Sequence, residues 1–203
     1  MQNPLFKAAT DSAKAGVLSP IETDYRDPND VLRLYLSALT GIDPTLVRKR
    51  WLSEPGDQPP IAVDWAAVGV DRVTTWGTPF IEGRKPETIS DPDDVQQTSW
   101  QTLWCVASFY GPNAADLADL FRSALLVPQN DAALRQYGLT TQGVEDDVIH
   151  VPDLLFQHWV DRYDVTFKVG RSVTRSFGVR AIVAAGVNIL TEKTYVPSDP
   201  AGQ

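Results

Sequence analysis

The stretch that most constrains the fold is Thr98 to Tyr110, TSWQTLWCVASFY. In a strand, successive side chains point to opposite faces. One face then carries Leu103, Cys105, Ala107 and Phe109, and the other Trp100, Trp104, Val106 and Tyr110. A strand apolar on both faces has to be covered on both. The chain's own helices supply one cover; the second is another layer of the chain or a neighbouring subunit. The run passes directly into Gly111-Pro112-Asn113 and a helical pattern from Ala114 to about Leu126. There Leu117, Phe121, Ala124 and Leu125 share a face with Leu120 beside it, and Asp116, Asp119, Arg122 and Ser123 look outward.

A glycine turn between strand and helix is where many enzymes hold a phosphate or a nucleophile. This one has a single glycine, a proline without an N–H, and Asp116 and Asp119 in the early helix. A phosphate site wants several free backbone donors and a nearby cation. A structural corner uses every residue instead. Gly111 permits the turn, Pro112 stiffens it, Asn113 caps the helix, and Asp116 at the third helical position resembles a weak capping box.

The remaining pattern predicts an α+β fold, a mainly antiparallel sheet with two to three helices on one face and a long projecting C-terminal hairpin. Residues 1–26 read as an N-terminal arm, 27–195 as a single domain, and 196–203 as a flexible tail. Asp27 caps a helix with Pro28 in its first turn, an apolar stripe of Val31, Leu32, Tyr35, Leu36 and Leu39, and Gly41 at its end. Proline and glycine divide the following β-like text into candidate strands Val47 to Leu52, Ile61 to Val68 and Arg72 to Trp76. Residues 82–95 read as a long loop. PQNDAALRQYG begins a second short helix closed by Gly138, and the polar run Leu139 to Val151 reads as an edge or turn-rich connection. Trp159 to Val169 alternates as a half-buried strand, with a reversal at Phe177-Gly178 and an antiparallel partner over 179–189.

Signals for chemistry are sparse. His150 and His158 lack zinc-binding spacing, and the single Cys105 on a doubly covered strand reads as an inert core thiol. No nucleophile elbow, Walker loop or dinucleotide fingerprint occurs, so no catalytic, cofactor or metal residue is assigned. Asp91, Asp93 and Asp94 lack the glycine and distal glutamate of a calcium loop. A net charge of −8 disfavours general nucleic-acid binding, and Arg48-Lys49-Arg50 reads as a solvated or ion-paired surface patch. The N-terminus lacks a signal-peptide pattern and no run reaches the ~18 apolar residues of a membrane span. The lone cysteine suits a reducing cytoplasm. A small acidic hydrolase using paired carboxylates is the alternative from another class.

SFYGPNAADLADLFRSALLVPQNDAALRQYGL, followed by VPDLLFQHWVDRYDVTFKVGRSVTRSFGVRAIVAAGVNI, resembles the phage neck or tail terminator proteins of contractile-tailed phages and related prophages. VRKRWL and QPPIAVDWAAVGV are similar to the same family, and the likeness covers about Asp30 to Thr191. It implies a structural virion protein of the neck and not an enzyme, assembled in the host cytoplasm. It further implies a ring, typically hexameric, that caps the tail tube, stops its polymerisation and offers a docking surface to the head-side connector or stopper. The implied partners are further copies of the chain, the tail tube protein and the connector, with the sheath as an additional neighbour. DNA passes through the lumen without sequence recognition. Another neck component, such as a stopper or head-completion protein, is the nearest alternative. Six tryptophans exceed the needs of one core, and interfaces favour them. Trp100, Trp104, Trp159 and Tyr163 are the candidate core or interface anchors.

Overall fold

The computed structural model describes residues 7–9, 16–24, 26–51, 57–84, 93–155 and 158–179. In chain order the elements are β1 (Ala8–Ala9), β2 (Val17–Leu18), β3 (Glu22–Asp24), α1 (Pro28–Thr40), β4 (Val47–Lys49), β5 (Trp65–Arg84) and β6 (Asp93–Tyr110). There follow α2 (Ala114–Leu125), α3 (Pro128–Arg135), β7 (Leu139–His150), β8 (Asp153–Leu155), β9 (His158–Val160) and β10 (Arg162–Val179). The fold is α+β, three helices with a mixed sheet.

Helix α1 starts and stops as its sequence pattern predicts. Asp27 accepts the Asn29 N–H at 3.0 Å, and Gly41 ends the helix by donating its N–H to the Ser37 carbonyl at 2.9 Å. Lys49 reaches across from β4 to Asp30 at 2.7 Å and Asp27 at 3.3 Å. Burial alone would raise the Asp27 pKa, but hydrogen bonds from Asn29 and Lys49 outweigh it and hold the carboxyl below its ordinary value. The stripe of Leu32, Tyr35 and Leu36 is buried.

The main sheet runs in the order β3-β10-β6-β5-β4, with β7 also on β10. β10 gives its whole length to β6 on one edge. On the other edge β7 pairs with Tyr163–Arg171 and β3 with Thr174–Ser176. These pairs and β5–β6 are antiparallel, whereas β4 runs parallel to β5, so the sheet is mixed. Within the expected N-terminal arm, β3 is built into the sheet.

Three of the sequence-based boundaries are corrected. Residues 61–64 are not strand, and the segments about Val68 and Trp76 belong to one strand of 20 residues. Gly77 and Pro79 fail to break it because they sit in a bulge, where the register shifts between Trp76↔Trp100 and Phe80↔Thr98. A bulge lets a strand absorb an N–H-free proline and a positive-φ glycine, here φ 56°, without ending. The expected loop over 82–95 is entered by β5 from one side and β6 from the other; residues 85–92 lie outside the described residues. The expected reversal at Phe177-Gly178 does not occur. Both stay in β10, paired with Val95 and Asp94. The proposed partner over 179–189, beyond Val179 itself, and the tail 196–203 lie outside the described residues.

The core lies on the sheet face that carries Leu103, Cys105, Ala107 and Phe109 from β6, Val165, Phe167 and Val169 from β10, and Ala66 and Val68 from β5. Against it pack Leu32 and Leu36 of α1 and Ala114, Ala118, Phe121 and Leu125 of α2. Phe121 lies 5.6 Å from the Phe109 ring centre and 5.4 Å, edge-on, from Phe167. Such aromatic clusters add about 0.5–1.5 kcal/mol per pair beyond burial. The cover is partial: every residue of β5 from Asp71 to Thr78 is exposed, on both faces. This length of β5 thus extends past the helices, while Ser99 of β6 and Val173 of β10 at the same level stay buried.

Candidate functional site

The corner at Gly111-Pro112-Asn113 is held differently from the sequence expectation. Gly111 has φ 107°, and a Cβ there would come within 2.7 Å of the Asp64 Cα and the Val63 carbonyl oxygen. Both the backbone angle and the close approach require glycine. The Asn113 side chain makes no capping hydrogen bond to α2, and the capping-box role expected of Asp116 is not seen. Instead Asp64, in the loop before β5, accepts the Asn113 N–H at 2.9 Å on one oxygen and the Asn113 side-chain amide at 2.8 Å on the other. Asp64 does for the Asn113 N–H what a capping-box carboxylate would, from 49 residues away. The corner is a clamp between two segments.

Cys105 is fully buried, and burial pushes its thiol up to about 12. His150 Nε2 lies within hydrogen-bond distance of the exposed Asp161, at 3.0 Å, and the ring stacks on Tyr163 at 4.7 Å, while His158 is exposed in β9. Among the described residues no group of three or more His, Cys, Asp or Glu side chains could hold a metal ion.

The sheet face opposite the core holds a different kind of structure. Cross-strand partners share a face, so the register places Trp65, Gly69, Arg72, Trp76, Trp100, Trp104, Ser108, Tyr110, Arg162, Asp164 and Lys168 together. At one end Trp65 stacks on Tyr110, 4.0 Å apart and 3° from parallel, with the Arg48 guanidinium 5.8 Å from the Trp65 ring. Arg50 donates to the Ser108 hydroxyl, which donates to Asp164. Arg162 pairs with Asp164 at 3.2 Å and Asp153 at 2.9 Å. Burial opposes the Arg162 charge, yet the two carboxylates outweigh it and raise its pKa; the Tyr110 phenol is raised by burial. That end is closed by ion-paired charges.

Further along, Trp51 lies over Gly69, where a Cβ would meet its ring at 2.9 Å, and Arg50 sits 5.1 Å from the same ring. Arg72 and Lys168 both lie over Trp104, at 4.1 and 4.0 Å from its centre. Trp76 pairs directly across from Trp100, and its indole N–H donates to Thr102 at 2.5 Å, which donates to Gln142 at 2.7 Å. Trp76 is 63% exposed and Trp100 50%. Trp51, Trp65, Trp76, Trp100 and Trp104, five of the six tryptophans, therefore share one face.

Of the anchors expected from sequence, the structure brings Trp100 and Trp104 together and separates the other two. Tyr163 lies on the core-side face opposite Phe109, and Trp159 stands 74% exposed in the small β8–β9 pair. Sequence reasoning missed Trp76, Trp51, Arg72, Lys168 and Asp64, because each acquires its neighbours only through strand register or a distant loop.

These features define a class: an α+β chain that extends a long-stranded, tryptophan-bearing sheet beyond its helical cover. The family described as phage neck terminator protein matches residues 29–193. The chain belongs to that family, and it is a structural component of the phage neck and of the virion. No curated protein matches the chain.

Proposed function

We propose that the chain is the tail terminator, a ring-forming protein that caps the head-proximal end of the tail tube and stops its polymerisation. The ring, a hexamer in this reading, offers its other side to the connector or stopper and leaves a lumen through which DNA passes without sequence recognition. It acts by occupying surfaces, without a catalytic step or a bound cofactor. The observation that carries the reading is the family match over residues 29–193. The exposed Trp76, Phe80 and Trp100, which share the face opposite the core, support it, since contiguous exposed apolar patches mark binding surfaces. The tail tube protein and the head-side connector are the expected partners, with the sheath adjacent. Assembly takes place in the host cytoplasm.

Deleting the gene tests the proposal. The expected result is tails of uncontrolled length, or finished tails that do not join heads. Electron microscopy of wild-type virions is expected to show density for this chain as a ring at the tube's head-proximal end. Normal virions from the deletion, or density elsewhere, would refute the assignment.

A further inference from the structure

Two surfaces of opposite chemistry lie on opposite sides of the molecule. The first is the indole face of Trp76, Trp100 and Trp104, with the cations of Arg72 and Lys168 over the Trp104 ring. The second is the outer side of α2. Ala114, Ala118, Phe121 and Leu125 turn inward, which leaves Asp116, Asp119 and Leu120 as an outward stripe that continues into Leu126 after the helix, all exposed. α2 covers the core-side face through Phe121, so its outer stripe points away from the indole face.

We infer that the indole face of one copy docks on the α2 stripe of a second copy, head to tail. Arg72 and Lys168 then meet Asp116 and Asp119, and the indoles cover Leu120 and Leu126. The argument is complementarity within one sequence: aromatic rings with cations on one patch, and on the other carboxylates with leucines, where the one neighbouring cation, Arg122, reaches Asp119 only at 3.9 Å. Trp and Arg are the residues that carry interface energy when desolvated. The chain's net charge of −8 makes a second copy an acidic partner, and the cation-bearing face is the surface suited to receive it. Duplex DNA fits the face less well, because its stacked bases are inaccessible and would leave the tryptophans without a partner. The two patches differ, so the contact is heterologous, and repeating it generates a closed ring or an open filament. The inference rests on the self-assembly reading above and names the surfaces that carry it.

Sedimentation of the full chain tests it with two charge reversals, Arg72→Glu with Lys168→Glu, and Asp116→Lys with Asp119→Lys. Each double variant is expected to weaken self-association by about 10²–10³-fold, the loss that follows breaking a buried charge pair. Mixing the two variants, or joining all four changes in one chain, restores it. Circular dichroism checks the fold. Trp76→Ala and Leu120→Ser, both at exposed positions, replace any reversal that unfolds the chain and are expected to weaken association likewise. Association unchanged in folded variants of either patch, or no rescue on mixing, overturns the inference while leaving the neck assignment standing. A wild-type chain that remains monomeric at millimolar concentration overturns the self-assembly reading along with it. Salt-sensitive duplex DNA retention, lost in Arg72→Glu with Lys168→Glu while association persists, gives the face to nucleic acid and also overturns the inference.

Discussion

Asp64 and Asn113 can be tested as a single clamp by a double-mutant cycle. Asp64→Ala removes both hydrogen bonds, from the Asn113 N–H at 2.9 Å and from its side-chain amide at 2.8 Å. Bonds to charged acceptors contribute about 1.5–3 kcal/mol each when buried. Both are open to solvent here, so the loss is expected at about 1.5–2 kcal/mol in total. Asn113→Ala removes only the amide bond and is expected to cost about 1 kcal/mol. Once Asp64 is gone, the Asn113 amide has nothing left to lose, so the double variant should match Asp64→Ala. The coupling is then about 1 kcal/mol, well above the ~0.3–0.5 kcal/mol within which independent sites add. Urea denaturation reads it as midpoint shifts at constant slope, and thermal scans should show Asp64→Ala melting about 3–8 °C lower. If Asn113 acted as a side-chain cap of α2, its loss would be the same in both backgrounds. Additive single effects would refute the clamp.

Phe121→Ala should cost about 3–5 kcal/mol in urea denaturation, because its buried ring contacts Phe109 and Phe167 and the rigid sheet beneath cannot close the cavity. Stability should fall in acid. Burial works to raise both Asp27 and Asp131, but hydrogen bonds from Asn29 and Lys49, and from Thr141, Thr140 and Arg135, leave both below the ordinary 3.8. A depressed folded pKa means the unfolded chain binds more protons, so the contribution is complete above 3.8 and is lost as pH falls through the folded values. Asp131→Asn should flatten the melting-temperature profile in that window. Cys105, with its thiol near 12 and no exposed surface, should resist iodoacetamide at pH 8 and react only at the rate of unfolding. Rapid labelling of the native chain would place it outside the core.

Elements whose signal is local were legible in the sequence. Asp27, Pro28 and Gly41 bracket α1 through contacts within a few residues, and the period of α2 identifies Phe121 and Leu125 as buried. Asn113 was misread for the complementary reason. Its partner Asp64 stands 49 residues earlier in a loop with no pattern of its own. The positive φ of Gly111 belongs to the corner itself, but the other reason for a glycine there, the approach of the Val63–Asp64 backbone, is likewise non-local. The end of the candidate strand Arg72 to Trp76 was misplaced in the opposite sense, since a bulge carries β5 on through Gly77 and Pro79.

The tryptophan face shows most clearly why strand surfaces escape sequence reading. Strict alternation along β5 would put Trp65 and Trp76 on opposite faces, eleven positions apart. The register opposes Val70 to Cys105 but Arg72 to Trp104, so Asp71 is one residue too many for the ladder. That bulge exchanges the faces of every side chain beyond it. Ala66, Val68 and Val70 lie on the core side before it; Arg72, Thr74 and Trp76 lie on the opposite side after it. The Asn29 side chain of α1 accepts the Val70 N–H at 3.1 Å beside this point, which ties the helix to the strand where the change of face begins. One inserted residue therefore brings Arg72 over Trp104 and Trp76 across from Trp100. The same insertion turns Val73 to the core-side face, where the helical cover has ended and it stands exposed. The tryptophan face thus owes its composition to a single irregularity in the chain's own sheet.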